Sequence, residues 1–307
     1  MEKIFHPDSC GYRPGKSAIE AVGVARQRCW RYDWDLYLDV TGCFDNIDRS
    51  LLMRAVRKHT DCPWVLLYTE RWLAAPVQLP DGSLLQPEKG VPQGAVVSPV
   101  LSNLFLHYAF DVWMVRYQAG VRFERYADDM LCHCTNRGQA ERLKGAVTQR
   151  LAACGLEVHP QKTRMVYCRD SQRRGTYLEY QFDFLGFRFR PRKSKDRFGR
   201  YFTNFTPAVS PQAAKAMQQT MRRWALAQRS DKALDDLARM FNPVVRGWLN
   251  YYGSYYRSAL HPTFHCLDDS LTRWAKQKYK RLRGHHRRAR HWLQRVARRQ
   301  PELFAHW

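Results

Sequence analysis

Negative charge is what this sequence lacks. Its 28 Asp and Glu residues face 51 Lys and Arg, a formal net charge of +23 over 307 residues. An excess of this size calls for a polyanionic partner. No run of about eighteen or more apolar residues occurs, so no membrane-spanning helix is expected. The stretch Met1 to Pro7 has no apolar core of the signal-peptide kind, so none is expected there. The nine cysteines are scattered, odd in number and without a CxxC pair, which fits free thiols in a reducing cytoplasm better than a disulfide framework. Cys132-His133-Cys134 alternates along an expected strand, so its members face opposite ways and make a poor zinc site. His261 and His265 have helical spacing, but no Glu follows His261 as a metalloprotease helix requires. Both clusters read as structural.

What is present is a globular composition, 45% hydrophobic and 26% charged, with 15 Phe, 16 Tyr and 10 Trp. Aromatics among so many cations fit nucleic acid better than a membrane surface. The length allows a substantial core and two domains or subdomains. Taken in order, Gly11 to Lys16 is a turn-rich loop whose Arg13 and Lys16 suit phosphate contact. Ser17 and Glu20 form a capping box ahead of a helix. Residues 35–41 read as an apolar strand carrying Asp39 at its end, followed by a Gly42 turn and a helix from Asp48 to about His59. A helix is expected over 63–75, a hairpin turn at Pro80 to Ser83, and a rigid loop at Gly90 to Gly94. An amphipathic helix follows, with Val100, Leu101, Leu104, Phe105, Tyr108 and Val112 on one face. After a hairpin at Tyr126 to Asp129 come a helix over 137–154, a short strand at 156–158, a turn at 159–163 and a strand at 165–168. Phe182 to Phe189 reads as a hairpin broken by Gly186. Arg190 to Arg200 reads as a basic loop, with six cations against one acid. Helices are expected at about 209–228, 231–257 and 266–283, the last running into a basic C-terminal helix.

The carboxylates carry the chemistry. Tyr126-Ala127-Asp128-Asp129 places two acids at the tip of a hairpin, and burying such a pair is unfavourable unless a cation neutralises it. Asp39 would join them if the strands share a sheet. Three carboxylates suit Mg²⁺, and two ions about 3.5–4 Å apart can serve an in-line phosphoryl displacement. The residues thus point to metal-dependent nucleotidyl transfer on nucleic acid. A solvent-exposed Asp-Asp turn is the plainer reading of the hairpin alone. In the C-terminal region, Trp248, Tyr251, Tyr252, Tyr255 and Tyr256 interleave with Arg246 and Arg257, so a packed core and a nucleic-acid face both remain open.

Several motifs in order carry a resemblance. They are Gly11-Tyr12-Arg13-Pro14-Gly15, Leu38-Asp39-Val40-Thr41-Gly42-Cys43-Phe44-Asp45, Gly90-Val91-Pro92-Gln93-Gly94, Tyr126-Ala127-Asp128-Asp129, His159-Pro160-Gln161-Lys162-Thr163 and Phe184-Leu185-Gly186-Phe187. With Phe241-Asn242-Pro243 through Tyr252, the chain resembles group II intron reverse transcriptases, the intron-encoded maturases, over nearly its whole length. The resemblance implies an α+β fold. Residues 1–205 would form a right-hand palm with partial fingers, and residues 206–307 an all-α thumb or maturase domain X. It implies RNA-directed DNA polymerase activity with Mg²⁺, two ions for which Mn²⁺ could substitute, and a maturase role in splicing. RNA, a DNA primer or cDNA, and dNTPs would be the partners, and the location cytoplasmic, at the nucleoid in a bacterium.

By the same resemblance, Asp39 and Asp128 are expected as principal metal ligands, helped by the Val40 carbonyl and Asp129. Phe44 is the expected steric gate, Gln93 and Gly94 the nucleotide pocket, and Lys162 a charge or proton donor to the leaving pyrophosphate. Phe184, Leu185, Gly186 and Phe187 would form the primer grip. Arg13, Lys16, Arg246, Arg257, Lys276, Lys280, Arg283, Arg287 and Arg288 are the expected nucleic-acid contacts, with the fingers loop as the alternative partner of Arg13. Family members begin well upstream of the Gly11 loop, so a second chain supplying fingertip segments is one expectation. Thr41 and Cys43 replace residues more often Lys and an aromatic. The sequence stops without a Cys- and His-bearing endonuclease module, so target-DNA cleavage is not expected of it. The alternative function is a non-enzymatic RNA-binding splicing cofactor, or a split subunit needing a partner chain.

Overall fold

A computed structural model describes residues 2–78 and 80–307. The chain forms two compact units, one of Met1–Phe182 with Arg190–Phe205, the other of Asp183–Phe189 with Thr206–Trp307. Where a single cut at residue 205 was expected, the turn at 183–189 groups with the helices instead. Local packing accounts for this, because Phe187 is fully buried against the rings of Tyr251, Tyr252 and Tyr255.

The first unit contains α1 (Ala18–Cys29), β1 (Trp34–Leu38), the short α2 (Cys43–Asn46), α3 (Arg49–Arg57) and α4 (Pro63–Ala74). A small hairpin, β2 (Val77–Gln78) and β3 (Leu84–Leu85), comes next. Helix α5 (Ser98–Leu106) runs through a π-helical turn, His107–Asp111, into α6 (Val112–Tyr117). Then follow β4 (Arg122–Tyr126), β5 (Asp129–Cys134), α7 (Arg137–Ala152) and β6 (Arg164–Tyr167). The capping box forms as expected, Glu20 N–H to Ser17 Oγ and Ser17 N–H to Glu20 Oε2. Asp48 caps α3 through the Leu51 amide.

Strands β4, β5, β1 and β6 form one antiparallel sheet in that order. Partners opposite one another share a face, and faces alternate along each strand. Leu36, Leu38, Phe123, Met130, Cys132 and Cys134 therefore lie on one side, in the core that also takes residues of α3, α5 and α7. The other side carries Asp35, Tyr37, Glu124, Asp129 and His133. Its far end is covered by α1, where Arg28 and Cys29 reach Glu124 and Asp35. The strand expected at 156–158 reduces to a single bridge, Val40 to Val158.

A second sheet has the order β7 (Phe182–Phe184), β8 (Phe187–Lys195), β9 (Tyr201–Val209). The basic loop expected at 190–200 is thus mostly strand, since β8 continues to Lys195 and only the Asp196 turn is loop. The cations obscured the strand in the sequence because they fall on both of its faces and break the alternation, and the Lys193 and Lys195 ammonium groups lie over the Tyr201 ring.

The second unit packs α8 (Pro211–Arg223), α9 (Leu234–Tyr256), α10 (His261–Lys278) and α11 (His286–Arg299) around Leu237, Val245, Leu267, Leu271, Trp274 and Phe304. Helix α10 starts at His261, earlier than expected, because Pro262 occupies its first turn, where the missing N–H is not needed. It ends at Lys278, and Gly284 at φ +79° separates it from α11. Among the described residues no helix is long and apolar enough to cross a membrane.

Candidate active site

The register from Trp34↔Cys134 to Leu38↔Met130 brings Asp39 out of the sheet beside Asp129. Strands β4 and β5 close through Ala127 and Asp128, with Tyr126 paired to Asp129. The turn expected from the sequence forms, and Ala127 takes a left-handed φ of +56°. Asp39, Asp128 and Asp129 thus lie near one another at one end of the sheet.

Burial first, and the neighbouring Asp39, hold the Asp128 carboxyl above its usual range. Burial likewise raises Asp129, with Asp128 and Asp39 adding to the effect and a hydrogen bond from Tyr37 opposing it. Tyr37 donates its hydroxyl to Asp129 Oδ1 at 2.5 Å, and its own ionisation is pushed well up by burial and by that carboxylate. Lys162 Nζ pairs with Asp39 Oδ2 at 3.0 Å. Three acids are therefore matched among the described residues by one paired ammonium.

The covered end of the face that carries Asp129 is different. Asp35 and Glu124 sandwich His133, with Nδ1 to Asp35 at 2.6 Å and Nε2 to Glu124 at 2.5 Å. Arg28 joins Glu124 to Asp8. The thiols of Cys29 and Cys168 lie 2.9 and 3.0 Å from Asp35 Oδ2. Cys29, Asp35 and His133, all three buried, each place a donor atom within 4.8 Å of the others. Their hydrogen bonds and the imidazolium already satisfy them, so this end needs no added cation. His133 pointing to the same face as its two acids could not be read from Cys132-His133-Cys134 alone.

Beside the open acids lies a cavity of about 580 Å³ whose walls include Phe44, Gln93, Gly94 and Asp128. Gly90 makes its shape possible. At φ +83° it crosses the 42–46 turn so closely that a Cβ would lie 2.7 Å from the Asp45 carbonyl oxygen. Gly90 N–H donates to Ile47 O and Val91 N–H to Phe44 O. Arg49 holds the other side of the loop through the carbonyls of Pro87 and Gly90. Gln93 donates Nε2 to both Asp45 oxygens, 2.8 and 3.0 Å away.

A family model, "Reverse transcriptase (RNA-dependent DNA polymerase)", matches residues 1–189. The chain belongs to the reverse transcriptase family. A second model, "Group II intron, maturase-specific domain", matches residues 214–293. Protein YkfC of Escherichia coli (strain K12) is 35% identical over 126 residues, 39% of this chain and 32% of the relative. Group II intron-encoded protein LtrA of Lactococcus lactis subsp. cremoris is 25% identical over 193 residues, 60% of this chain and 32% of the relative. The aligned stretch is thus about a third of these curated relatives. Among solved structures, apo telomerase from Candida tropicalis matches over 97% of this chain and 55% of that one, at 12% identity and TM-score 0.51. Telomerase from Candida albicans bound to a telomeric RNA fragment matches over 100% and 52%, at 12% identity and TM-score 0.50. At that identity the likeness speaks to the fold, a polymerase palm and fingers.

Within the reverse transcriptase region, Phe44, Gln93, Gly94 and Asp128 line the cavity, and Asp39, with Val40 next to it and Lys162 paired to it, lies with Asp129 at the same end of the sheet. The Val40 bridge is bonded through the Asp39 carbonyl and the Thr41 amide, which leaves the Val40 carbonyl outside those two bonds. The Arg13 guanidinium binds Glu2 and the carbonyls of His6 and Ser9 and stacks on Phe5, so it closes its own loop. Lys16 remains exposed, with Nζ on the Pro7 carbonyl. In the maturase-type unit, Leu185 and Gly186 make the expected turn, both at positive φ, and the Leu185 carbonyl accepts from Tyr251 Oη at 2.8 Å. Most of the aromatic stripe is packing, since Trp248 stacks on Trp224 and three tyrosines surround Phe187. Arg246, Arg257, Lys280, Arg283, Arg287 and Arg288 are exposed, and Lys276 is half-buried. Sequence reasoning missed Tyr37, whose one signal was its position two residues before Asp39. It also missed Arg49, which carried none.

Proposed function

We propose that this chain is an RNA-directed DNA polymerase of the group II intron type, and that its helical unit binds RNA in a maturase role. The observation that carries the reading is the contrast within one sheet. Asp35 and Glu124 are neutralised internally, whereas Asp39, Asp128 and Asp129 keep excess negative charge beside a cavity in a reverse transcriptase domain. Oxygen donors with that excess fit Mg²⁺, with Mn²⁺ as a substitute. Two such ions would be held by Asp39, Asp128 and the Val40 carbonyl, with Asp129 in support through Tyr37. When bound they would supply charge stabilisation at the attacking and leaving oxygens.

The remaining roles fall to the chain's own groups. Phe44, half-buried in the cavity wall, bears on the sugar of an incoming dNTP and opposes a ribose 2′-hydroxyl. Gln93 and Gly94 contact the nucleotide. As the primer 3′-oxygen bonds to the α-phosphorus and the bond to pyrophosphate breaks, Lys162 neutralises or protonates the leaving group. The turn from Phe184 to Phe187 contacts the primer strand, and the exposed cations of the helical unit hold RNA or the template–primer duplex. Nine free thiols fit a cytoplasmic location. Primer extension on an RNA template with Mg²⁺ tests the proposal. The parent chain is expected to extend, and Asp128→Ala to lose at least a thousandfold in rate while still binding RNA. No extension by a parent chain that binds RNA tightly would favour the splicing-cofactor alternative.

A further inference from the structure

We propose that Arg125, with Asp111 and Asn103, is a positioning device that fixes the Ala127-Asp128 turn from beneath. The inference rests on the reading of Asp128 as a metal ligand. Arg125 lies on the core side of β4, 0% exposed, and so does its partner Asp111 at the end of the π-helical turn. Its Nε and Nη2 meet the two Asp111 oxygens in a fork, each at 2.7 Å. Nη1 then reaches forward to the carbonyl of Ala127 and sideways to Asn103 Oδ1, both at 3.0 Å. Asn103 passes the connection on, donating Nδ2 to the Gly11 carbonyl at 2.7 Å. The backbone of Arg125 is held from the same loop, by Cys10 N–H to Arg125 O and Arg125 N–H to Asp8 O.

Gly11 completes the clamp. A Cβ there would sit 2.3 Å from the Ala127 nitrogen, so only glycine allows the loop to press on the turn. The device answers a local problem. Ala127 is an L residue at φ +56°, a conformation that is unfavourable by roughly 1–2 kcal/mol and persists only where its surroundings over-determine it. Stability does not account for the ion pair, because a buried pair is often no better than well-packed apolar residues of the same volume. What a planar fork anchored at both oxygens does supply is direction. It aims an Nη1 donor at one carbonyl and thereby sets where the next residue, Asp128, points.

Two variants test this. Arg125→Met combined with Asp111→Leu removes the fork without stranding a buried charge, and Gly11→Ala leaves the fork intact while pushing on Ala127. In each, hydrogen exchange across residues 126–130 is expected to quicken tenfold or more, with exchange in α8–α11 unchanged. Mn²⁺ binding to the free protein is expected to weaken at least tenfold. The Mg²⁺ concentration for half-maximal primer extension should rise in parallel, and template–primer affinity should hold. Parent-like exchange in the turn together with parent-like Mn²⁺ affinity, in either variant that folds, overturns the positioning role. A parent protein that binds no Mn²⁺, while both variants still loosen the turn, overturns the metal reading and leaves the anchoring of the turn standing.

Discussion

At the scale of single residues, the palm sheet sorts its acids by whether a cation already accompanies them. Asp39, Asp128 and Asp129 were legible in the sequence because a strand end and an Asp-Asp turn are local features. Their neighbours were not. Tyr37 meets Asp129 across 92 residues of sequence, and Lys162 meets Asp39 across 123. His133 shows most plainly what such contacts do. Burial alone would lower its pKa, but Glu124 and Asp35 outweigh that and raise it to about 10. A group raised on folding stabilises fully below its unfolded pKa, here about 6.5, and the contribution is lost as pH climbs through the folded value. The melting temperature should therefore fall between about pH 6.5 and 10. His133→Gln should lose that part of the slope and be destabilised at pH 6 by about 3–5 kcal/mol, because two buried carboxylates lose their shared cation. Parallel melting curves against pH for the two proteins would refute the assignment.

At the scale of elements, caps and periodicity located α1, α3, α4 and α7 well, since those signals act within a turn or two of helix. The misjudged elements were decided by partners. Strand β8 forms because β9 lies beside it, in spite of a charge pattern that reads as loop. The segment at 156–158 has a single bridge and does not become a strand. The Gly90 loop was recognised as rigid, but its reason is an approach to the 42–46 turn that no local reading could reveal. Gly90→Ala should therefore act at the cavity. The left-handed φ alone is expected to remove roughly 1–2 kcal/mol of stability. The contact with Asp45 should shift the loop, raising KM for dNTPs several-fold with a smaller effect on kcat. Steady-state kinetics beside thermal unfolding would separate the two, and an unchanged KM would detach this loop from nucleotide binding.

At the scale of the whole molecule, the +23 charge is the feature composition stated first, and the helical unit holds much of it. Helix α11 turns Ala289 and Leu293 inward and leaves Arg287, Arg288, Arg290, Arg295, Arg298 and Arg299 exposed. Among the described residues none of these six has an acidic partner. Each contact to an RNA phosphate releases counterions, so log K for RNA should fall steeply with log salt. Replacing Arg287 and Arg288 by alanine should reduce the slope by about 1–2 units. A slope equal to the parent's would take these arginines out of the interface.

The sequence by itself determined the net charge, the order of the motifs, most helices, and the hairpin that carries Asp128. Those properties depend on composition and on neighbours a few residues apart. Only the tertiary structure decided which charges are spent inside. Arg13, Arg28 and Arg125 are cations in the composition, yet each is consumed by carboxylates or carbonyls of its own unit. Asp35 and Glu124 are acids like Asp39 and Asp128, but an imidazolium separates them. The physical reason is that a buried charge is set by what the fold places within about 3 Å of it, and that neighbour comes from a distant part of the chain.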